Sequence, residues 1–312
     1  MHSARHCEWT DALRRSDFQR AWEISDVSLR EYCASGAIKH TGPRHYQRIW
    51  RGEDLHDKRV LIRCYHGLGD TLQFIRFAKP LRQIARRIIV WGQPELLAML
   101  RRVEGVDEAV PLHDGTPDVA YDVDIEVMEL AHALRATSQD ISGCVPYLAC
   151  APPAAGRRPS HLRSIGLVWD VGNWDKRRCI PPQMLSALAR TGVRLFSLQQ
   201  GPARQTAGAI PAEDIAAPDI ETLAATILGL DLIVTVDTMV AHLAGALGAP
   251  VCTLLHADCD WRWPLRDRET PWYPTMKLFH QQERGDWASV IEEVAEATAA
   301  SRRQLRSTRA PH

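Results

Sequence analysis

The segment "RVLIRCYHGLGDTLQFIRFAKPLRQ" (Arg59–Gln83) contains one complete strand–loop–helix unit. A β-rich apolar run stops before Gly67 and Gly69, and apolar residues at helical spacing follow from Asp70 onward. Glycines at such a place allow a sharp turn and the close approach of another group. An acid that follows them is typical of a helix N-cap, and Gln73 stands at capping-box spacing behind it. The residues leave open whether Asp70 only caps the helix or also acts on a substrate.

Strand-like and helix-like segments alternate through the rest of the chain. Strands are predicted at "RIIVWGQ", "DEAVPL", "YDVDIEVM", "SIGLVWD", "VRLFSLQQ", "DLIVTVD", "PVCTLLH" and "MKLFHQ". Helices are predicted at "PELLAMLRRVEG", "PPQMLSALARTG", "IETLAATILGL", "TMVAHLAGALG" and "DWASVIEEVAEATAA". This alternation predicts an α/β protein built from βαβ units on parallel sheets.

The alternation is interrupted once, by a segment rich in Pro, Ala and Arg at Ala149–Ser164. We expect a domain boundary there, and therefore two Rossmann-like domains that face a cleft, at residues 51–150 and 164–300. Residues 1–50 form a predicted helical extension, because "DFQRAWEISDVSLREY" has amphipathic helical spacing. Residues 301–312 are predicted to be a flexible basic tail.

The composition excludes several classes of protein. The 312 residues carry a formal net charge of zero, so nucleic-acid binding through a large basic surface is not expected. No apolar run approaches the roughly 20 residues of a membrane span. The first residues lack the apolar core of a secretory signal, which predicts a cytoplasmic protein. The eight cysteines include no CxxC pair, so neither a disulfide framework nor a zinc site is predicted.

A second strand-to-helix loop lies in "VTVDTMVAHLAGALG" (Val234–Gly248). Asp237 and Thr238 end an apolar strand and open a helix, and His242 falls on the same helical face as Thr238. The N–H groups at a helix start favour a diphosphate, to which His242 could donate while Asp237 accepts from sugar hydroxyls. The alternative is that Asp237 caps the helix and His242 is a satisfied, semi-buried histidine.

A third loop, "VWDVGNWDKRRCIPP" (Val168–Pro182), also follows a predicted strand. Its basic cluster of Lys176, Arg177 and Arg178 could neutralise a leaving diphosphate. The alternative is an ordinary solvated surface run. Its position favours the first interpretation, because ligands in open parallel sheets bind outside the carboxyl ends of the strands.

Two further segments have side chains whose role the sequence leaves open. The loop "HADCDWRWPLRDRETPWYP" is rich in aromatic residues, which either stack on a base or sugar or lock the loop onto the core: Trp261, Trp263, Trp272 and Tyr273. The segment "YDVDIEVMEL" holds acids that form either an acceptor-site wall or a solvated edge: Asp122, Asp124, Glu126 and Glu129.

The segments "RVLIRCYHGLGDTLQFIRFAKPL" and "LDLIVTVDTMVAHLAGALGAPV" resemble the two signature regions of glycosyltransferase family 9, the heptosyltransferases. "GEDLHDKRVLI", "SLQQGPA" and "DWRWPLRDRETPWYP" are similar to the bacterial tetratricopeptide-repeat proteins that end in such a domain. The resemblance covers about residues 52–300. It suggests that the N-terminal helices are a remnant of the repeat region.

The resemblance implies a GT-B fold, with an N-terminal acceptor domain and a C-terminal nucleotide-sugar domain. It implies an inverting transfer without metal or cofactor, in which Asp70 is the general base. The matching loop positions are Gly67, Gly69, Thr71 and Gln73. The donor would be bound by Asp237, Thr238 and His242, together with Lys176 or Arg178.

The partners implied are a nucleoside-diphosphate sugar, with ADP-heptose as one candidate, and an unidentified hydroxyl acceptor on a glycan, a lipid-linked glycan or a protein. No nucleic-acid partner and no transmembrane segment are expected. The cytoplasmic location would include peripheral attachment at the inner face of a membrane. The rival hypotheses are a non-catalytic nucleotide-sugar-binding or scaffold protein that retains the fold, and an enzyme that hydrolyses or epimerises nucleotide-sugars.

Overall fold

The structure, a computed structural model, describes residues 2–36, 48–150, 162–189 and 192–307. Within these ranges, ten strands form two sheets in which every neighbouring pair is parallel. The chain divides into two compact units. The first unit comprises Met1–Ala151, Gly245–Gly248 and Pro271–Pro274, and the second comprises Pro152–Ala244, Ala249–Thr270 and Thr275–His312. The predicted α/β class is confirmed.

Helices α1 (His2–Arg14) and α2 (Phe18–Ser35) open the first unit. Asp17 caps α2 by accepting from the backbone N–H of Arg20 at 3.1 Å. The indole N–H of Trp22 donates to the carbonyl of Ala136 at 2.8 Å, which ties α2 to the rest of the unit. The predicted helical extension is therefore present, with α2 in the predicted amphipathic segment and α1 before it.

The first sheet consists of β1 (Arg59–Arg63), β2 (Arg87–Gly92), β3 (Glu108–Pro111) and β4 (Val123–Glu126), in the order β3-β2-β1-β4. Its helices are α3 (Leu68–Phe74), α4 (Ala78–Ile84), α5 (Leu97–Leu100), α6 (Leu130–Ala133) and α7 (Ser138–Ser142). The middle of β1 is fully buried, as expected for a parallel strand that is covered on both faces.

The second sheet consists of β5 (Arg163–Val168), β6 (Val193–Ser197), β7 (Ala212–Asp214), β8 (Leu232–Val236), β9 (Val251–Leu255) and β10 (Met276–His280). The strand order is β10-β9-β8-β5-β6-β7. Its α-helices are α8 (Ile220–Gly229), α9 (Met239–Ala246) and α10 (Trp287–Ser307).

The segment "PPQMLSALARTG" was predicted as a helix, but its residues Pro182–Leu188 form a 3₁₀ helix. The bond from the N–H of Met184 to the carbonyl of Pro181, at 3.0 Å, has the tighter i→i+3 spacing. Proline cannot donate a backbone hydrogen bond, so the two prolines suit the start of this short turn.

Some predicted segments lie partly outside the described residues. Residues 151–161 of the expected boundary and residues 308–312 of the expected tail belong to this group, as do residues 37–47 of the N-terminal extension. The backbone of α10 extends through residues 301–307, which were predicted to be part of the tail. No helix in the described ranges combines the length and the apolar character that crossing a bilayer requires.

The strand orders locate the place where each sheet should bind a ligand. In the first sheet, the chain builds β2 and β3 on one side of β1 and then β4 on the other. In the second sheet, β6 and β7 lie on one side of β5, and β8 lies on the other. Open α/β sheets bind ligands at such reversals, outside the carboxyl ends of the strands. The candidate positions are therefore the β1/β4 edge and the β5/β8 edge.

Candidate functional site

Asp70 lies in the loop-to-helix turn that follows β1. Helix α3 begins at Leu68, and Gly67 is its N-cap residue, so the prediction that Asp70 is the N-cap is wrong. Asp70 occupies the third helical position, and its Oδ2 accepts from the N–H of Gly67 at 2.9 Å. This is the reaching-back half of a capping box. The carboxylate is half-buried, so a ligand at this edge of the sheet can reach it.

The two loop glycines do not adopt the conformations that only glycine favours. Gly67 has φ −67° and ψ 160°, which any residue can adopt, and Gly69 lies inside α3. A Cβ at Gly67 would meet only Oδ2 of Asp70, at an ordinary contact distance of 3.4 Å. The expectation that glycine is needed here for a sharp turn is therefore not met at Gly67.

Thr71 supports the loop through hydrogen bonds that run by way of Gln93. Thr71 is fully buried, and its Oγ1 donates to Oε1 of Gln93 at 2.9 Å. Gln93 in turn donates from Nε2 to the carbonyl of His66 at 2.8 Å. Gln73 is also fully buried, and the capping box of α3 joins Gly67 and Asp70, so the prediction of a capping box between Asp70 and Gln73 is wrong. These contacts fix the path of the loop but leave recognition to other groups.

The acids of β4 form a buried ion cluster with Arg63. Nε of Arg63 lies 2.5 Å from Oδ1 of Asp124, and Nη1 lies 3.1 Å from Oε2 of Glu126. Burial raises the pKa of Asp124, and Arg63 opposes that rise. Glu126 also accepts from the N–H of Tyr65 at 3.2 Å, which ties the cluster to the loop that follows β1.

Neither interpretation of these β4 acids from the sequence is correct. Asp124 and Glu126 are buried and are neither a solvated edge nor an open wall. The reason is that the backbone of Arg48–Trp50 runs beside β4, with the N–H of Trp50 donating to the carbonyl of Asp124 at 2.7 Å. Asp122, just before the strand, is partly exposed, and there Arg59 holds its pKa well below the usual range.

The second sheet places Asp237 directly after β8, where its side chain is buried. Nη1 of Arg178 lies 3.1 Å from Oδ2 of Asp237 and donates to its backbone carbonyl at 3.2 Å. Nε2 of His242 lies 4.0 Å from Oδ1 of Asp237. Burial raises the pKa of Asp237, whereas Arg178 lowers it. The structure therefore brings together three of the predicted donor-site residues.

Lys176 and Arg178 are separated by the structure. Lys176 is 65% exposed, and its Nζ lies 3.8 Å from Oδ2 of Asp170. The side chain of Arg178 is 19% exposed, so it pairs with Asp237 and still reaches solvent. Of the two candidates for the basic contact, Arg178 is the one that lies at Asp237.

Thr238, rather than Asp237, caps helix α9. Oγ1 of Thr238 accepts from the N–H of Val240 at 3.1 Å, so the alternative in which Asp237 caps this helix is wrong. His242 stacks on Trp263, with ring centroids 5.6 Å apart and an interplanar angle of 20°. The histidine is thus packed on the inner face of α9, close to the Asp237 carboxylate.

Gln199 and Asp175 shape the loop after β5, and neither was predicted from the sequence to have a role. Oε1 of Gln199 accepts from the N–H groups of Trp169 at 2.9 Å and Asp170 at 3.0 Å, which fixes the start of the loop. Asp175 accepts from Arg177, and this bond lowers the pKa of Asp175 to about 2. Asp175 also lies 3.8 Å from Nε of Arg178.

His256 is a third residue that was missed. It is buried directly after β9, and its Nε2 lies 3.9 Å from Oδ2 of Asp175. Burial lowers the pKa of His256. The sequence offers one indication of these residues, because Gln199 and His256 each follow a strand, as Asp237 does. Gln199 lies in "SLQQGPA", one of the segments that carry the resemblance, but the resemblance assigned no role to either residue.

The aromatic loop is locked onto the core, as one of the two interpretations expected. Trp263, Trp272 and Tyr273 are buried, and only Trp261 is partly exposed, with Arg262 lying 4.5 Å from its ring centroid. Within the first unit, the guanidinium of Arg76 donates to the carbonyl of Trp272 at 2.8 Å. The buried rings therefore cannot present a stacking face to a ligand.

Comparison with known proteins places this geometry in context. Residues 186–288 match the family model described as glycosyltransferase family 9 (heptosyltransferase). Protein FlbA of Caulobacter vibrioides is 24% identical over an alignment that covers 80% of this chain and 47% of FlbA. The chain thus spans about half the length of that curated relative.

Solved structures show a similar fold. A glycosyl transferase family 9 protein from Veillonella parvula matches with a TM-score of 0.60 and 13% identity, covering 80% of this chain and 98% of that one. The E. coli ADP-heptose lps heptosyltransferase II gives 0.58 and 14%, with 80% and 99% covered. E. coli heptosyltransferase WaaC with ADP gives 0.51 and 15%, with 78% and 98% covered. These likenesses confirm the predicted GT-B class of two Rossmann-like domains with a short helical extension.

Proposed function

We propose that the protein is a glycosyltransferase that moves a sugar from a nucleoside-diphosphate sugar to a hydroxyl acceptor. The observation that supports this most is the pairing of partly exposed Arg178 with buried Asp237 at the start of α9. The family-model match covers α9 and the strands on either side of it. Because solved structures with this fold include an ADP-heptose heptosyltransferase, we take ADP-heptose as the first donor to test.

The donor site of this proposal uses the start of α9. The first N–H groups of a helix, with its positive dipole end, attract phosphate oxygens. Arg178 adds a fixed cation there, and Lys176 contributes a second positive charge from the rim of the same loop. Together they stabilise the negative charge that develops on the departing diphosphate. Because the chain itself supplies this charge, the proposed reaction does not require a metal ion.

Asp237, Thr238 and His242 complete the donor site. Thr238 fixes the first turn of α9 through its bond to the N–H of Val240. Asp237 accepts hydrogen bonds from donor hydroxyls, and its buried position makes a paired guanidinium necessary. His242 stacks on Trp263 with its Nε2 4.0 Å from Oδ1 of Asp237, and there its imidazole supports the orientation of that carboxylate.

Asp70 is the proposed general base. Its carboxylate takes the proton of the acceptor hydroxyl while that oxygen bonds to the anomeric carbon of the donor. The bond from this carbon to the diphosphate oxygen breaks on the opposite side, and the diphosphate leaves with the electron pair. The configuration at the anomeric carbon is therefore inverted. The hydrogen bond from Gly67 holds Oδ2 and so orients the carboxylate.

The test is to measure nucleotide release from a panel of nucleoside-diphosphate sugars by the wild type and by Asp70→Asn. We expect the substitution to lower turnover about 10²- to 10⁴-fold, the usual contribution of a positioned general base. Donor affinity should stay unchanged, because Asp70 acts on the acceptor. Gln93→Glu, which alters the scaffold beneath the same loop, serves as a control for loop distortion.

Three other results would contradict parts of the proposal. Equal turnover of Asp70→Asn and the wild type would remove the general-base assignment. Tight nucleotide-sugar binding without transfer to any acceptor would support the non-catalytic alternative. Sugar release to water alone would identify a hydrolase.

A further inference from the structure

Trp174 is the most exposed large apolar side chain in the described part of the protein. It is 84% exposed, whereas Leu162, Leu228 and Leu265 are exposed by 41–46%. Single exposed apolar residues are common on protein surfaces, so exposure alone says little. Two further observations bear on the role of Trp174: the hydrogen bonds that anchor its loop and the position of the indole in that loop.

The loop that presents Trp174 is fixed at both ends. Gln199 accepts from two backbone N–H groups at the start of the loop, those of Trp169 and Asp170. The N–H of Ile180 donates to the carbonyl of Trp169 at 2.9 Å, which closes the loop at its base. Behind Trp174, Asp175 binds the backbone and side chain of Arg177. The indole is thus presented to solvent by an anchored loop.

This loop also carries the cation of the proposed diphosphate site. Trp174 precedes Arg178 by four residues, and Arg178 lies 3.1 Å from the carboxylate of Asp237. Four residues span at most about 14 Å even when fully extended. The loop follows β5 at the reversal of strand order, where a ligand is expected. A ring attached to a diphosphate at Arg178 therefore comes within reach of the indole.

We propose that Trp174 stacks on the base of the bound nucleoside diphosphate. This inference rests on the proposed function, because it requires that the second unit binds such a molecule. A base presents flat π faces, which match an exposed indole. A sugar presents hydroxyls on most of its edges, which polar side chains recognise better. Because every base has a π face, Trp174 adds affinity for all nucleotides, and most for purines, which have the larger ring.

The experiment is titration calorimetry of the full chain with ADP, UDP and inorganic pyrophosphate. The proteins are the wild type, Trp174→Ala, Trp174→Phe and the control Leu228→Ala, which truncates an exposed apolar side chain on α8. Removing a base–aromatic stack should weaken ADP binding about 5- to 150-fold. The loss for UDP should be smaller, and pyrophosphate affinity should not change. Trp174→Phe should retain part of the affinity, and Leu228→Ala should retain all of it.

Several outcomes overturn the proposal. Equal ADP affinity of Trp174→Ala and the wild type would show that no stacking occurs. An equal loss for ADP and pyrophosphate would show that Trp174 only supports the loop.

A fifth protein, Arg178→Ala, separates this inference from the proposed function. If Arg178→Ala loses both ADP and pyrophosphate while Trp174→Ala loses neither, the diphosphate site stands and the stacking inference fails. If the wild type binds pyrophosphate but no nucleoside diphosphate, base recognition is absent and the inference again fails. If the wild type binds none of the three, the donor site itself is wrong, and both proposals fail together.

Discussion

Each sheet places an arginine against carboxylates where the strand order reverses, but solvent reaches only one of the two arginines. Arg63 in the first unit is fully buried between Asp124 and Glu126. Arg178 in the second unit is 19% exposed and pairs with buried Asp237. A sealed ion cluster cannot exchange a partner for a ligand, whereas a partly exposed guanidinium can. We therefore propose a supporting role for Arg63 and a binding role for Arg178.

The supporting role of Arg63 follows from the register of the strands. Arg63 is aligned with Glu126 across the parallel pair, and Asp124 lies two residues earlier on the same face. Glu126 then holds the N–H of Tyr65 at the start of the loop that leads to Asp70. Through these contacts, a buried cluster sets the position of a loop that itself lies near solvent.

The largest expected effect comes from breaking the sealed cluster. Arg63→Met leaves two buried carboxylates without their cation, which should lower the free energy of unfolding by about 3–5 kcal/mol. Urea or guanidinium denaturation measures this loss. Arg59→Met is the matched control, because Arg59, on β1, pairs at a partly exposed position with Asp122, just before β4. If both substitutions lower the free energy of unfolding by the same amount, burial does not determine how much each ion pair contributes to stability.

The next largest effect should be on ligand binding in the second unit. Arg178→Ala should weaken binding of a nucleoside diphosphate about 10- to 150-fold, as expected for the loss of a charged hydrogen bond of roughly 1.5–3 kcal/mol. Lys176→Ala should have a smaller effect, since Lys176 lies near Asp170 and is mostly exposed. Titration calorimetry compares the two variants. A larger loss from Lys176→Ala would reverse the assignment.

Acidification should change the stability of the protein in opposite directions through two acids, Asp175 of the second unit and Asp124 of the first. Arg177 lowers the pKa of Asp175 to about 2, from an ordinary value of 3.8. Between these values the unfolded chain binds more protons, so Asp175 contributes stability above pH 3.8 that is lost as the pH falls toward 2. Burial raises the pKa of Asp124 above 3.8, so there the folded state binds the proton first, and acidification from neutral pH toward 3.8 adds stability.

The measurement is the free energy of unfolding of Asp175→Asn, Asp124→Asn and the wild type at several pH values between 6 and 2, a range chosen to include both the lowered and the ordinary aspartate pKa. Asp175→Asn should lose less stability on acidification than the wild type does. Asp124→Asn should lose more. The same slope for both variants would show that the two acids do not differ in the way that their surroundings indicate.

The difference between the two units also explains what the sequence could predict. The βα units and the Asp237–Thr238 turn followed from local apolar runs that end at helix starts. The burial of Asp124 depended on Arg48–Trp50, which pairs with β4 from more than 70 residues away. The roles of Gln199 and His256 likewise depend on loops that meet only after the sheet forms. Local patterns contain no information on such contacts.

Local sequence patterns also do not distinguish the loops at Gly67 and Gly172. The same glycine-to-serine substitution should change stability in opposite directions at these two positions. Gly67 is an N-cap with φ −67°, so Gly67→Ser supplies a capping oxygen and should raise stability by a few tenths of a kcal/mol. Gly172, in the loop after β5, has φ +71° with open space where a Cβ would lie. Gly172→Ser should therefore cost about 1–2 kcal/mol, which is backbone strain without any clash.

Thermal and denaturant unfolding of both serine variants measures this pair of effects. Gly67→Ala is the control for the capping oxygen, because alanine fits the same backbone but cannot accept from the helix. A gain in Gly67→Ser that Gly67→Ala also shows would come from a stiffer unfolded chain instead of a cap. A stable Gly172→Ser would mean that the loop after β5 changes its backbone easily. An anchored presentation of the residues that follow Gly172, Trp174 among them, could then no longer be assumed.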